Sequence, residues 1–428
     1  MKSAHLCIIL FISFCAPLSI LAQNKVALGC DGKRYLQDIF TDTTRTVVQF
    51  GNNKKLSGAN QDLFMDIVEP KGDTLKKRPV IIFAFGGGFI GGERSSMNLF
   101  CQSFAKKGYV CATIDYRIIN LLELGRLPDS LDIAKIGTQA MQDMKAAIRF
   151  FRKDAATVNK YKIDPDNIIA GGVSAGAISA MLVGHLDSAD VIADFYRNAV
   201  IAQGGYEGNS GNPNYDSSVK AVINMSGGLY RKEIIDRNDP PFINYHGTVD
   251  DVVPYGFGKN VYGFFNDGSG TCFGQARSVG VPSVLYTVRG GGHENIYPVT
   301  TQTYLADFIK FSTALVVFAK QVVCGDPILT ISPTNDIATT EISVFPNPSS
   351  DVMQLDWAQN TAQSERNTEG SRFDISITDL AGRTVYQARN APKSIIAISK
   401  SQTGSGMFIL KIKAHDTGAY WVKKIVFN

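Results

Sequence analysis

The sequence predicts an α/β protein, a mostly parallel sheet with helices on both faces, followed by a small all-β sandwich. Two patterns carry this. From about Arg45 to Lys320 short apolar runs alternate with stretches of helical periodicity, and after Cys324 the period switches to two. The 428 residues exceed one ordinary domain, and the 44% hydrophobic content suits a chain with a sizeable core.

The apolar runs Leu63–Val68, Val80–Phe85, Val110–Ile114, Ile168–Ala170, Val219–Asn224, Phe242–Tyr245 and Val284–Val288 read as strands. Between them Met141, Met144, Ile148 and Phe151 fall on one helical face, with Asp143, Lys145, Arg149 and Arg152 expected to point away from the core. Tyr304, Phe308, Phe311, Leu315 and Phe318 repeat that period in the last helix, and Ala177–Leu186 is apolar almost all round, as a helix buried against a sheet would be. Strands and helices interleaved in this way argue a parallel sheet covered on both sides. Residues 325–340, rich in Thr, Pro and Asp, read as a linker. Beyond it Phe373, Ile375 and Ile377 alternate with Asp374, Ser376 and Thr378 ahead of a turn at Ala381-Gly382. Met407–Ile412 and Trp421–Phe427 supply further strands of the sandwich. The expected division is therefore 1–22, a secretory leader; 23–324, a catalytic domain; 325–340, the linker; and 341–428, the sandwich.

Lys2, the apolar stretch Leu6–Ile20 and Ala22 before Gln23 make the leader a signal peptide. A membrane anchor is the alternative, opposed by Pro17 and the short apolar length, and lipid attachment at Cys15 is opposed by bulky Phe14. Of the seven cysteines, Cys30, Cys101, Cys111, Cys272 and Cys324 follow the leader, an odd number that leaves at least one thiol free. No C-x-x-C spacing occurs, so neither a metal site nor a cofactor is expected. With a net charge of +4 and no long Lys/Arg run, nucleic acid is not an expected partner.

The chemistry centres on Gly172-Val173-Ser174-Ala175-Gly176, directly after a strand and before a helix. In this nucleophile elbow the serine hydroxyl stands on a sharp turn beside a helix N-terminus. A serine hydroxyl needs a base within hydrogen-bond reach, itself oriented by an acid. His185 falls inside the buried helix and His415 in the sandwich, which leaves His246 and His293, each following a strand. His293, in the loop Gly290–Asn295, is the candidate base. His246 is expected to shape the turn that presents Asp250, the candidate acid, with Asp251 as the alternative. The oxyanion of an acyl-transfer intermediate needs preorganised donors. The glycine run in Phe85-Gly86-Gly87-Gly88-Phe89 supplies Gly87 and Gly88, and the elbow supplies Ala175.

These residues, with Asp164-Pro165-x-Asn167-Ile168 and His246-Gly-Thr-x-Asp250-x-x-Val253-Pro254, resemble the α/β-hydrolase superfamily. Within it the likeness, over roughly residues 60–320, is to carboxylesterases and hormone-sensitive-lipase-like esterases. It implies Ser174 as nucleophile, Asp250 as acid, His293 as base, and Gly87, Gly88 and Ala175 as oxyanion donors. The chain departs from those esterases at Phe85, where they usually carry histidine. The C-terminal part resembles a type IX secretion sorting domain of Bacteroidetes. Val344-Phe345-Pro346-Asn347-Pro348, Ile377–Arg383, Gly406–Leu410 and Lys423-Lys424-Ile425-Val426 carry that likeness. It implies the secretion machinery as a partner and export through the periplasm and outer membrane to the medium or cell surface. A carbohydrate-binding sandwich presenting Trp357 and Trp421 is the alternative.

The expected function is a secreted serine carboxylic-ester hydrolase, losing rate below about pH 6 to 6.5 as its base is protonated. A peptidase of prolyl-oligopeptidase type shares the trio but carries a propeller ahead of it, and a non-catalytic module on the same fold would have no use for a complete trio. The segments Ile118–Ile136 and Gln203–Ser218 are expected at the site entrance. The polar, glycine-rich second segment argues for short acyl groups or esters borne on polysaccharides.

Overall fold

The structure, a computed structural model, describes residues 26–30, 32–328, 342–345, 347–357, 372–379, 383–392, 396–414 and 420–428. The expected leader, the linker beyond Ile328, Pro346, the Ala381-Gly382 turn, His415 and the side chains of Trp357 and Trp421 lie outside the described residues.

In the N-terminal part the strands are β1 (Thr43–Lys54), β2 (Asn60–Pro70), β3 (Arg78–Ala84), β4 (Val110–Ile114), β5 (Ile163–Val173) and β6 (Ala221–Met225). They continue with β7 (Gly228–Leu229), β8 (Phe242–Gly247), β9 (Phe257–Lys259), β10 (Phe265–Gly268) and β11 (Ser283–Val288). The helices are α1 (Asn98–Lys106), α2 (Leu121–Leu124), α3 (Ser130–Ala156), α4 (Ala175–His185), α5 (Asp194–Ala202), α6 (Ser269–Val279) and α7 (Leu305–Cys324). Eight strands form one sheet in the order β1-β2-β4-β3-β5-β6-β8-β11. From β4 to β11 every pairing is parallel, and β1 and β2 add an antiparallel edge. All seven expected runs lie in this sheet. β3 and β4 are buried along their whole length, which is why they read as unbroken apolar runs.

β1 gave no signal of its own, because as an exposed edge strand it is built from polar residues and buries only Phe50. Around the sheet, α3 and α4 pack on each other and on β5, while α1 meets α7 through Phe100 and Phe308. A capping box starts α3: Asp129 accepts from the Leu131 and Asp132 N–H groups, and Asp132 accepts from that of Asp129. A disulfide joins Cys30 to Cys324, so the N-terminal segment is tied to the end of α7. Cys101, Cys111 and Cys272 are free and buried.

The charged face of α3 does not point to solvent as expected. Asp143, Lys145 and Arg149 are buried there. Asp143 pairs with the guanidinium of Arg117 at 2.8 Å, Lys145 and Arg149 both reach Glu207 at 2.9 Å, and Arg152 donates to the carbonyls of Asp216 and Ser218. The partners of Lys145 and Arg149 come from the segment Gln203–Ser218, which lies along α3, and Arg152 bonds both that segment and the Pro165 carbonyl of β5. Every charge in this layer has a partner, and that is what permits its burial.

In the C-terminal part β12 (Ile342–Phe345), β13 (Val352–Trp357) and β16 (Ile396–Ser399) form one antiparallel sheet. A second follows the order β15 (Thr384–Pro392), β14 (Arg372–Asp379), β17 (Gly406–Ala414) and β18 (Tyr420–Phe427). A single helical turn, α8 (Lys400–Thr403), follows β16. Met353 and Leu355 of the first sheet share one core with Ile375, Ile377, Leu410 and Ile412 of the second.

Candidate active site

Ser174 stands where β5 turns into α4, with φ 53° and ψ −119°, a left-handed backbone that a serine adopts only under constraint. Its N–H donates to the Met225 carbonyl at 2.8 Å. The two flanking glycines are required by contact. A Cβ on Gly172 would lie 2.4 Å from the Gly176 carbonyl carbon, and one on Gly176 would lie 2.2 Å from the Ala84 oxygen.

His293, in the loop after β11, spans the gap between the other two candidates. Its Nδ1 lies 2.7 Å from Asp250 Oδ2 and its Nε2 lies 2.8 Å from Ser174 Oγ. A carboxylate only accepts, so Nδ1 carries the proton and Nε2 is left bare to accept from the serine hydroxyl. The turn after β8 holds Asp250 firmly, since its Oδ1 accepts from the N–H groups of Val252 and Val253 at 2.9 and 2.8 Å. Burial by itself would push the Asp250 carboxyl up. Hydrogen bonds to, and electrostatic interaction with, the His246 and His293 rings outweigh burial and hold it well below the usual carboxylate range.

His246 lies beneath this turn, fully buried, with Nε2 2.9 Å from the Val253 carbonyl and 3.1 Å from Asp250 Oδ2. Its Nδ1 accepts from the Ser269 hydroxyl at 2.7 Å. His185 meets Asp239 at 3.1 Å inside the core, and Asp251 faces solvent.

The glycine loop after β3 runs beside Ser174: a Cβ on Gly86 would come 3.2 Å from the serine Cβ. Gly88 and Ala175 border the same cavity as Ser174, and Gly87 sits one residue back, its carbonyl accepting from Ile90 and Gly91. Ala175 opens α4, so its N–H belongs to the unpaired first turn, where the helix dipole favours negative charge. Two side chains that the sequence did not mark brace this loop. The Tyr262 hydroxyl donates to the Gly88 carbonyl at 2.7 Å. Tyr116 stacks on Phe85 at 4.3 Å and donates to its carbonyl at 2.8 Å. Phe85 thus takes part in the bracing through its ring and carbonyl, at the position where a histidine was expected by resemblance.

The cavity and the open solvent at its mouth together span about 630 Å³. Phe89, Ile178, Leu182, Tyr196, Tyr230 and Phe264 make its walls predominantly apolar. Of the two segments expected at the entrance, Ile118–Ile136 contributes Ile133 from the first turn of α3. The segment Gln203–Ser218 packs on α3 instead, so the polar loop that argued for short or polysaccharide-borne acyl groups does not line the cavity. Among the described residues no three His, Cys, Asp or Glu side chains are grouped to hold a metal ion, and no helix is long and apolar enough to cross a membrane.

Comparison with known proteins finds two family models that match parts of the chain. Residues 65–230 match the BD-FAE family, an esterase domain of α/β-hydrolase type, and residues 343–428 match the secretion system C-terminal sorting domain. The latter indicates export by type IX secretion to the cell surface or extracellular space. The chain is similar to fumonisin B1 esterase of Sphingopyxis macrogoltabida, 27% identical over 34% of this chain and 26% of that protein. It is similar to esterase LipC of Mycobacterium tuberculosis, 26% identical over 46% of this chain and 51% of that one. The matches thus span about half or less of these relatives. Among solved structures, Thermogutta terrifontis esterase 2 phosphorylated by paraoxon aligns with 65% of this chain and 95% of its own, at 22% identity and a TM-score of 0.46.

Proposed function

Starting from a chain that joins an α/β-hydrolase domain of BD-FAE type to a type IX sorting domain, we propose that it is an exported serine carboxylesterase. Ser174 is the nucleophile, His293 the general base and Asp250 the orienting acid. The observation that carries this reading is the position of His293, within hydrogen-bond distance of Ser174 Oγ on one side and Asp250 Oδ2 on the other. Nε2 takes the proton as Ser174 Oγ attacks the ester carbonyl, and Asp250 stabilises the imidazolium that forms. The carbonyl oxygen becomes an oxyanion facing the backbone N–H groups of Gly88 and Ala175, with Gly87 the third candidate donor. The tetrahedral intermediate collapses as the proton on Nε2 passes to the departing alcohol oxygen, leaving an acyl group on Ser174. Water then gives its proton to the same nitrogen and frees the acid by the reverse sequence. Apolar walls beside Ser174 favour an acyl group that is largely hydrocarbon or aromatic.

The test is hydrolysis of nitrophenyl acetate by the mature chain and by Ser174→Ala. Loss of at least about a thousandfold in kcat, with an unchanged circular dichroism spectrum, is expected. Turnover by the alanine variant near that of the parent would refute the assignment.

A further inference from the structure

The wall of the cavity contains one polar anomaly. Asn266 lies in β10 with only 5% of its surface exposed, and it borders the cavity shared with Ser174. Strand alternation explains its direction: Phe264 and Asn266 are both buried and both line the cavity, while Phe265 between them is 48% exposed on the opposite face. Both the carboxamide oxygen and the carboxamide nitrogen are buried without a hydrogen-bond partner among the described residues. A donor and an acceptor left unpaired in an apolar cavity are a cost to the folded chain unless something that enters satisfies them.

The direction of the reaction says which part of a substrate enters. The leaving alcohol oxygen must lie against His293 Nε2, which gives it a proton. The described residues that line the cavity include Ser174, Gly88 and Ala175 but not His293. The cavity therefore lies on the side of the carbonyl carbon and its oxyanion, away from the leaving group, and receives the acyl chain.

Resting on the esterase reading above, we propose that Asn266 is a specificity-determining residue that hydrogen-bonds an uncharged polar group at the distal end of an otherwise apolar acyl chain. A hydroxyl or carbonyl matches the carboxamide, which offers both a donor and an acceptor. The described lining residues carry no Lys, Arg, Asp or Glu, so a charged terminus would enter without a counter-ion.

The experiment compares nitrophenyl esters in pairs of equal length, an ω-hydroxyalkanoate against the alkanoate with methyl in place of hydroxyl, over a series of chain lengths. At the length that reaches Asn266 the wild-type kcat/KM is expected to favour the hydroxylated member by about tenfold or more, since the apolar partner leaves the amide unpaired. In Asn266→Leu the preference should vanish or invert, with the hydroxylated ester losing turnover and the methyl ester gaining it. Absence of a preference at every length in the wild type, as when water satisfies the amide, overturns the inference whether or not the variant folds. Retention of the wild-type ratio in Asn266→Leu overturns it as well. Wild-type hydrolysis of nitrophenyl acetate in the same series separates the two readings: acetate turnover without hydroxyl preference sinks this inference alone, whereas no turnover of any ester sinks both.

Discussion

Replacing Asp250 by asparagine removes a charge and nearly nothing else, and the structure fixes what the new amide must do. Oδ1 of Asp250 is held by two backbone donors, the N–H groups of Val252 and Val253. In Asp250→Asn the amide oxygen therefore occupies that place, because an NH2 group there would face two donors. Its NH2 is left where Oδ2 was, 2.7 Å from His293 Nδ1 and 3.1 Å from His246 Nε2. A donor now faces Nδ1, so the imidazole proton moves to Nε2 and the ring can no longer accept from Ser174. The base is lost along with the carboxylate that stabilised the imidazolium. Together these are expected to lower kcat about ten-thousandfold, roughly 5.5 kcal/mol of barrier. The assay is steady-state hydrolysis of nitrophenyl acetate by the parent, Asp250→Asn and Asp251→Asn, with melting followed by circular dichroism. Asp251 is exposed, so its variant should stay within about twofold of the parent. If Asp250→Asn kept a tenth of the parental rate, or if Asp251→Asn were the crippled variant, this account of the base would be wrong.

Two further outcomes concern stability. Burial, together with the charges of Asp187, Asp239 and Asp236, pushes the Asp190 carboxyl up to about 6, against a hydrogen bond from the Asp187 N–H that pulls the other way. The folded chain thus holds a proton that the unfolded chain has already released, and stability falls as pH rises from about 4 through about 6. The group is partly open to solvent, so the loss is discounted to no more than about 1–2 kcal/mol. Asp190→Asn should raise the melting temperature at pH 7.5 and leave it unchanged at about pH 4, where both side chains are neutral; an equal shift at both would contradict this. Cys30→Ser opens a covalent loop with a sequence separation of 294 residues. A loss of about 2–4 kcal/mol is expected in chemical unfolding, and an unchanged midpoint would show that the bond contributes little.

The sheet and the candidate trio of Ser174, Asp250 and His293 were legible because local chemistry dictates them. A buried parallel strand has to be apolar throughout, and a serine at φ 53° between a strand and a helix needs glycine at positions 172 and 176. Asp250 and His293 could be picked out because each follows a strand of the same sheet edge, and the structure has them in hydrogen-bond contact with each other and with Ser174. What the sequence hid depends on distant segments. Periodicity identifies the polar face of α3 but carries no information on what covers it, so Lys145 and Arg149 read as solvated when they are in fact buried and paired with Glu207. Glycine and asparagine made Gln203–Ser218 look like an entrance loop. Its carbonyls and carboxylates serve α3 instead. Tyr262 and Asn266 come from β10 and the hairpin turn before it, and no motif links them to Ser174. Their relevance appears only when Tyr262 is seen on the Gly88 carbonyl and Asn266 at the cavity wall.

The Cys30–Cys324 bond has a mechanical consequence. Cys324 is the last residue of α7, immediately upstream of the stretch that leads to the sorting domain. A force applied to that stretch is shared at once between α7 and the chain around Cys30, where the Ala27 N–H also grips the Val323 carbonyl at 2.8 Å. α7 is thereby protected from being peeled off the sheet turn by turn. A protease that trims the tail downstream of residue 324 would leave the rivet, and the α/β domain it closes, untouched.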